Sequence, residues 1–105
     1  MSLHPAIAAE VAAVVTTDDG LAVEPLAGQH PSLRRRVLRN AVLAAGAPAS
    51  EVHHEHVLAV DALLTDWRGQ KWIDLPGHLR AVRRDGLLVL ERAPTAGGRP
   101  DPAAG

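Results

Sequence analysis

Four arginines fall within six residues, at Arg34, Arg35, Arg36 and Arg39. Arg68 and Lys71 follow, and then Arg80, Arg83 and Arg84. A guanidinium stays charged across the physiological pH range and offers a planar fork of donors that matches two phosphate oxygens, so this grouping suits contact with a phosphate backbone. Asp66, Asp74, Asp85 and Glu91 interleave with the later members. On residue types alone, a solvated, charge-balanced face remains as good a description as a phosphate-binding one.

The run His53-His54-Glu55-His56 brings together residue types that ligate metals, but its spacing is poor. On a helix only His53 and His56 share a face, and a third ligand would have to come from His30 or His78. Metal is therefore not expected, and His53 and His56 are read as lining a seam between helices. Nucleophilic catalysis fares no better. Ser2, Ser32 and Ser50 are the only serines, and the chain has no G-x-S-x-G, P-loop or G-x-G-x-x-G run. Asp61, Asp66 and Asp74 are the carboxylates to consider for acid–base work, and no pattern places two of them in one apolar pocket. No catalytic residue is expected in this chain.

With 105 residues, 47% of them hydrophobic and 22% charged, the composition is that of one small globular domain. Trp67 and Trp72 are the only aromatics, too few for a base-stacking platform. The net charge of −1 excludes a generic, strongly basic nucleic-acid binder. Basic charge is nonetheless local, because residues 1–30 carry Glu10, Asp18, Asp19 and Glu24 with no Lys or Arg before the arginine run begins. With no cysteine there is neither a disulfide framework nor a thiolate metal site, which fits a reducing compartment and a cytoplasmic setting. The apolar stretch Ile7 to Val15 is broken by Glu10 and far too short to span a bilayer, so no membrane association is expected. Met1-Ser2-Leu3 reads as an added start on a piece of a longer protein.

The elements that must position these arginines follow from punctuation and period. PAIAAEVAAVV predicts a helix over 5–15, ended by Thr16 to Gly20. Leu21 to Leu26 alternates and contains Pro25, which predicts an edge strand. Pro31 opens the strongest helix, running to Gly46. Leu33, Val37, Leu38, Ala41, Val42 and Ala45 lie on one face of it, and Arg35, Arg36 and Arg39 lie opposite. Arg34 sits at the centre of the apolar face, where its stem would cover apolar surface while its guanidinium reaches past the helix end. Ser50 is the expected N-cap of a second helix running to Trp67, with Gly69 as its left-handed terminator; the two helices form a hairpin. Strands are expected over 71–75, 78–84 and 87–91, joined by Pro76-Gly77 and Asp85-Gly86 turns. The fold class is α+β in the order α-β-α-α-β-β-β, a helical hairpin packed on a small antiparallel sheet that ends in a three-stranded meander. The organisation expected is an N-terminal helix and added residues over 1–19, the domain proper over 20–92, and a disordered Pro/Gly/Ala tail over 93–105.

The runs LRRRVLRNAVLAAG, EHVLAVDALLTDWRGQ and IDLPGHLRAVRRDGLLVL, with W-x-G-Q at Trp67 to Gln70 and L-P-G at Leu75 to Gly77, resemble the domain that follows the catalytic domain in bacterial tRNA(Ile)-lysidine synthase. The resemblance covers roughly residues 20–92. It implies an ATP-dependent, magnesium-requiring parent ligase that adenylates the wobble cytidine of a minor isoleucine tRNA and joins lysine to it, changing the anticodon's reading from Met to Ile. That chemistry belongs to an N-terminal PP-loop domain bearing an S-G-G-x-D-S motif. This chain lacks the motif, so no catalytic residue carries over. The partners implied are tRNA(Ile) with a CAU anticodon and the PP-loop domain, with a homodimer as a further expectation. The resemblance makes Arg35, Arg36 and Arg39 the helix contacts to tRNA phosphates and Arg80, Arg83 and Arg84 the hairpin contacts. Trp67, Gly69, Gln70, Leu75, Pro76 and Gly77 are expected to set the fold, with Trp67 closing the helix hairpin. The alternative is a scaffold or dimerisation module that docks on its own catalytic domain without touching tRNA.

Overall fold

A computed structural model describes residues 5–94. The expected added residues Met1-Ser2-Leu3 and nearly all of the expected disordered tail lie outside them. The order is α1 Pro5–Val15, β1 Thr16–Thr17, β2 Gly20–Ala22, α2 Val23–Ala27, α3 Pro31–Ala44, a 3-10 turn over Ala49–Glu51, α4 His54–Thr65, β3 Ile73–Leu75, β4 Leu79–Arg84 and β5 Leu87–Arg92. The strands form one antiparallel sheet in the order β1-β2-β5-β4-β3. The α+β class and the C-terminal meander are those expected. The meander is pinned by Asp85-Gly86, whose φ values of 54° and 77° are those of the mirror-image turn that matches strand twist.

Alternation along the strands decides which face meets the helices. Leu21, Leu75, Leu79, Ala81 and Leu88 point inward and are buried, and they pack with Val23, Leu26, Val37, Leu38, Val42, Val60 and Leu63 from the helices. The opposite face carries Asp74, Arg80, Val82, Arg84, Val89 and Glu91, which the ladder places at alternate positions.

Expectations at four places in the chain are corrected. Leu21 to Leu26 is not an edge strand. Only Gly20–Ala22 is extended, and it lies between β1, formed by residues expected only to end α1, and β5. From Val23 the chain turns into a short helix, because Val23 and Leu26 are three apart and both reach the core, while Pro25 stands in the first turn where its missing N–H costs nothing. Ser50 does not cap the second helix. It lies in the 3-10 turn, and the cap is His53, whose backbone N–H donates to His56 Nδ1 at 2.8 Å. The two imidazoles stack at 5.6 Å, so the histidine pair is spent on starting α4 and not on lining a seam. Third, α4 stops at Thr65 with Asp66 as its C-cap, and Gly69 serves the loop beyond it. Trp67 is 46% exposed and does not close the helix hairpin.

The fourth correction concerns Arg34, which is only 7% exposed. Its guanidinium does not reach past the helix end. It turns inward to Asp61 on α4, donating from Nε to Oδ1 and from Nη2 to Oδ2 at 3.0 Å, while Nη1 donates to the Gln29 carbonyl at 3.0 Å. One buried ion pair thus ties α3, α4 and the loop after α2 together.

Candidate functional site

At its start α3 has Pro31 in the first turn and His30 as N-cap, with His30 Nδ1 accepting from the Ser32 N–H at 3.1 Å. At its end the Gly46 N–H donates to the Leu43 carbonyl and the Ala47 N–H to the Val42 carbonyl, the paired bonds of a left-handed helix stop. Between these ends Leu33, Arg34, Val37, Leu38 and Val42 are buried. The strip opposite carries Ser32, Arg36, Arg39 and Asn40, at spacings of three and four.

That strip and the first turn of α4 enclose a recess of about 280 Å³ lined by Ser32, Arg35, Arg36, Arg39, Asn40, His54 and Val57. No carboxylate lines it. The N-terminal end of α4 adds the positive end of a helix dipole to three guanidinium groups. Among the described residues neither Arg36 nor Arg39 has an ion-pair partner, and both are exposed. Arg35 differs from them. Its Nε donates to Asp61 Oδ2 at 3.0 Å, its side chain is 38% exposed, and its Nη groups make no hydrogen bond among the described residues. Burial alone would push the Asp61 carboxyl up, but the hydrogen bonds from Arg34 and Arg35 outweigh it and hold the group below the usual carboxylate range. The same bond to Asp61 raises Arg34 against the opposing effect of burial. Asp61 is thus a fixed anion behind the recess.

The other three arginines stand elsewhere. Arg83 points to the helix side, where its Nη1 donates to the Leu63 carbonyl at 2.9 Å, near the end of α4, and its guanidinium lies 4.8 Å from the Trp67 ring. Its work is to cap a helix C-terminus. Arg80 and Arg84 are on the far face of the sheet, both paired with Glu91 at 2.7 and 3.0 Å, and Arg80 also covers Trp72 at 4.8 Å. Those bonds, Arg80's first, hold Glu91 below its ordinary range. With Asp74 beside Arg80 in the ladder, that face is charge-balanced. The structure therefore gathers Arg35, Arg36 and Arg39 into one site and leaves Arg80, Arg83 and Arg84 out of it.

Of the motif residues, Leu75 is in the core, and Gln70 accepts from the Arg68 N–H through its side chain and from Trp67 Nε1 through its carbonyl. Gly77, at φ 83° in the turn after Pro76, lies against the loop after α3; a Cβ there would meet Ala47 Cα and Pro48 Cδ at 3.1 Å. Sequence reasoning missed Asp61, Ser32, Asn40 and His54 as site residues. For Asp61 the signal was present, since it follows Val57 by four and so falls on the buried face of α4, opposite the equally misplaced Arg34.

A larger recess, about 500 Å³, lies between the β1–β2 turn, the end of α3 and β5, but Thr16, Thr17, Asp18 and Asp19 are its only polar side chains, and none is a cation that could hold a phosphate. Among the described residues no three metal-ligating side chains gather, and no helix is long and apolar enough to cross a membrane.

Comparison with known proteins agrees with this domain. Residues 21–89 match the family described as TilS substrate binding domain. The tRNA(Ile)-lysidine synthase of Thermobifida fusca is 49% identical over 65 residues, covering 62% of this chain and 20% of that protein. Those of Streptomyces coelicolor and Salinispora arenicola are 45% and 46% identical over 73 and 80 residues, covering 70% and 75% of this chain and 21% and 24% of theirs. The chain thus spans about a fifth to a quarter of the length of these relatives.

Proposed function

This chain belongs to the TilS substrate binding domain family, and on that premise we propose that it is the tRNA-facing domain of a tRNA(Ile)-lysidine synthase, gripping phosphates of the substrate tRNA in the α3–α4 recess. The observation that carries this reading is the pair Arg36 and Arg39, without ion-pair partners among the described residues, beside a half-committed Arg35 in a recess that no carboxylate lines. Elsewhere on the described surface Arg68, Arg80 and Arg84 are paired with carboxylates and Arg83 caps α4, so the net charge near zero does not weaken the local field of the recess.

The tRNA in this reading is tRNA(Ile) with a CAU anticodon, and the parent enzyme attaches lysine to its wobble cytidine in the cytoplasm. The sequence lacks the S-G-G-x-D-S motif that the resemblance assigns to ATP, and among the described residues no three metal-ligating side chains gather to hold magnesium. Asp61, the carboxylate nearest the arginines, is fully engaged by Arg34 and Arg35, and no phosphate-gripping loop is present. No step of ligation is therefore assigned to these residues, and that chemistry is left to a PP-loop domain. The domain's part is to hold the tRNA by its backbone.

The test is binding of the CAU-anticodon isoleucine tRNA to this chain at low salt, beside the Arg36→Glu/Arg39→Glu variant. Both positions are exposed and without ion pairs among the described residues, so the variant keeps its fold. Binding lost in the variant supports the proposal. Absence of binding to the unaltered chain at high micromolar concentration contradicts it, and would give the arginines to docking against the rest of a longer protein.

A further inference from the structure

We propose that the α3–α4 recess is a discrete site for a single phosphate group and that Asp61 is its positioning residue, acting through Arg35. This rests on the tRNA-binding reading above and goes beyond it in naming how one phosphate is selected. Arg36 and Arg39 sit on an exposed helix face with no ion pair among the described residues to fix their long side chains, so each must lose rotamer freedom when it binds. Arg35 is already fixed. Its Nε is held at 3.0 Å by Asp61 Oδ2, and Asp61 is itself immobilised by two bonds from the buried Arg34. A guanidinium held through Nε keeps its Nη edge as a planar pair of donors, the edge that makes two parallel bonds to a phosphate. Arg35 lines the recess, and its Nη groups make no bond among the described residues. The order of preparation is therefore Arg34, then Asp61, then Arg35, then ligand, with Arg36 and Arg39 adding charge around it.

Asp61 cannot be a mere counterion to Arg34 in this arrangement, because its Oδ2 is shared between the two arginines. Lysine in place of Arg35 would keep the charge and could reach the carboxylate, but its ammonium lacks the planar two-donor edge that matches a phosphate. Lysine in place of Arg36, which needs only charge, should serve nearly as well.

Asp61→Asn leaves Arg34 buried without its counterion and is prone to misfolding. The decisive pair is therefore Arg35→Lys against Arg36→Lys, each measured by anisotropy with labelled CAU-anticodon tRNA, and each checked for unchanged thermal stability. The expected result is a loss of about tenfold in affinity for Arg35→Lys, the scale of one charge-assisted hydrogen bond, and less than about twofold for Arg36→Lys. Equal effects would overturn the positioning role while leaving tRNA binding intact. A second readout does not depend on tRNA. In the free chain the Arg35 Nε–H resonance should be protected, and inorganic phosphate should shift it before those of Arg36 and Arg39. If phosphate moves Arg35 but tRNA does not bind, the site stands and the tRNA reading falls. If phosphate moves none of the three, or all equally, the site falls.

Discussion

Arg34→Met tests whether the buried ion pair holds the domain together. The substitution removes two of the three donors on Asp61 and the donor to the Gln29 carbonyl, while the methionine stem still fills the space beside the core. With Arg34 only 7% and Asp61 4% exposed, water cannot replace what is lost. Breaking one side of a buried pair costs about 3–5 kcal/mol, and Asp61 keeps its bond from Arg35, so the low end, about 3 kcal/mol, is expected. In a domain of this size that lowers Tm by roughly 12–24 °C. The second variant, Arg34→Met/Asp61→Leu, removes the stranded carboxylate as well and should recover most of the loss, because an apolar pair of similar volume is often as stable as a buried ion pair. The assay is thermal unfolding followed by circular dichroism. In the double variant, affinity for tRNA should stay reduced although stability returns, because Arg35 has lost the acceptor that orients it. A single variant that loses less than about 1 kcal/mol would show the pair to be hydrated and refute the reasoning. So would a double variant no more stable than the single one.

Three further outcomes are expected. Gly77→Ala should cost about 2–3 kcal/mol, since it combines a φ of 83° with a Cβ 3.1 Å from the loop after α3, whereas Gly69→Ala, at the same φ but in open space, should cost about 1 kcal/mol; urea unfolding of both distinguishes packing from strain. Arg83→Ala should lose about 1–2 kcal/mol by uncapping the Leu63 carbonyl, with tRNA affinity changed by less than twofold in a binding titration; a large affinity loss at unchanged stability would put Arg83 back among the contacts. Because Asp61 is lowered on folding, its contribution is complete above its unfolded value of about 3.9 and disappears as pH falls through the lower folded value. Tm should therefore hold from neutral pH to about 5 and fall below about 4, and the fall should be shallower in Arg34→Met/Asp61→Leu.

Elements governed by local chemistry were legible in the sequence. Pro31 and Gly46 bracket α3, Asp85-Gly86 makes the hairpin, and Pro5 to Val15 is helical as its composition demands. Failures came where tertiary contacts chose between local options. Leu21 to Leu26 satisfies an alternating pattern and also the three-residue spacing of a helical turn; the helix wins from Val23 because Val23 and Leu26 both reach the core and the Val23 N–H finds the Gly86 carbonyl at 3.0 Å. His53 displaced Ser50 as a cap because the imidazole of His56 accepts its N–H, a partnership that side-chain propensities do not encode. Trp67 stayed at the surface because α4 ends two residues before it, leaving the indole to sit under Arg83.

The candidate site was half legible. The strip bearing Arg36 and Arg39 follows from helical period alone, but the division of six arginines into three that line the recess and three held in pairing or capping contacts elsewhere does not. That split is decided by a carboxylate or carbonyl from another element: Asp61 for Arg34 and Arg35, Leu63 for Arg83, and Glu91 for Arg80 and Arg84.

The central claim is that the recess binds tRNA through phosphates. It is tested most directly by the salt dependence of tRNA binding to this chain and to Arg36→Ala/Arg39→Ala. With Arg35 on the one phosphate in the recess and Arg36 and Arg39 each neutralising a neighbouring phosphate, log K should fall against log salt with a slope of about −2 to −3, and removing Arg36 and Arg39 should reduce the slope to about −1. A slope near zero, or one equal in the two proteins, would contradict it.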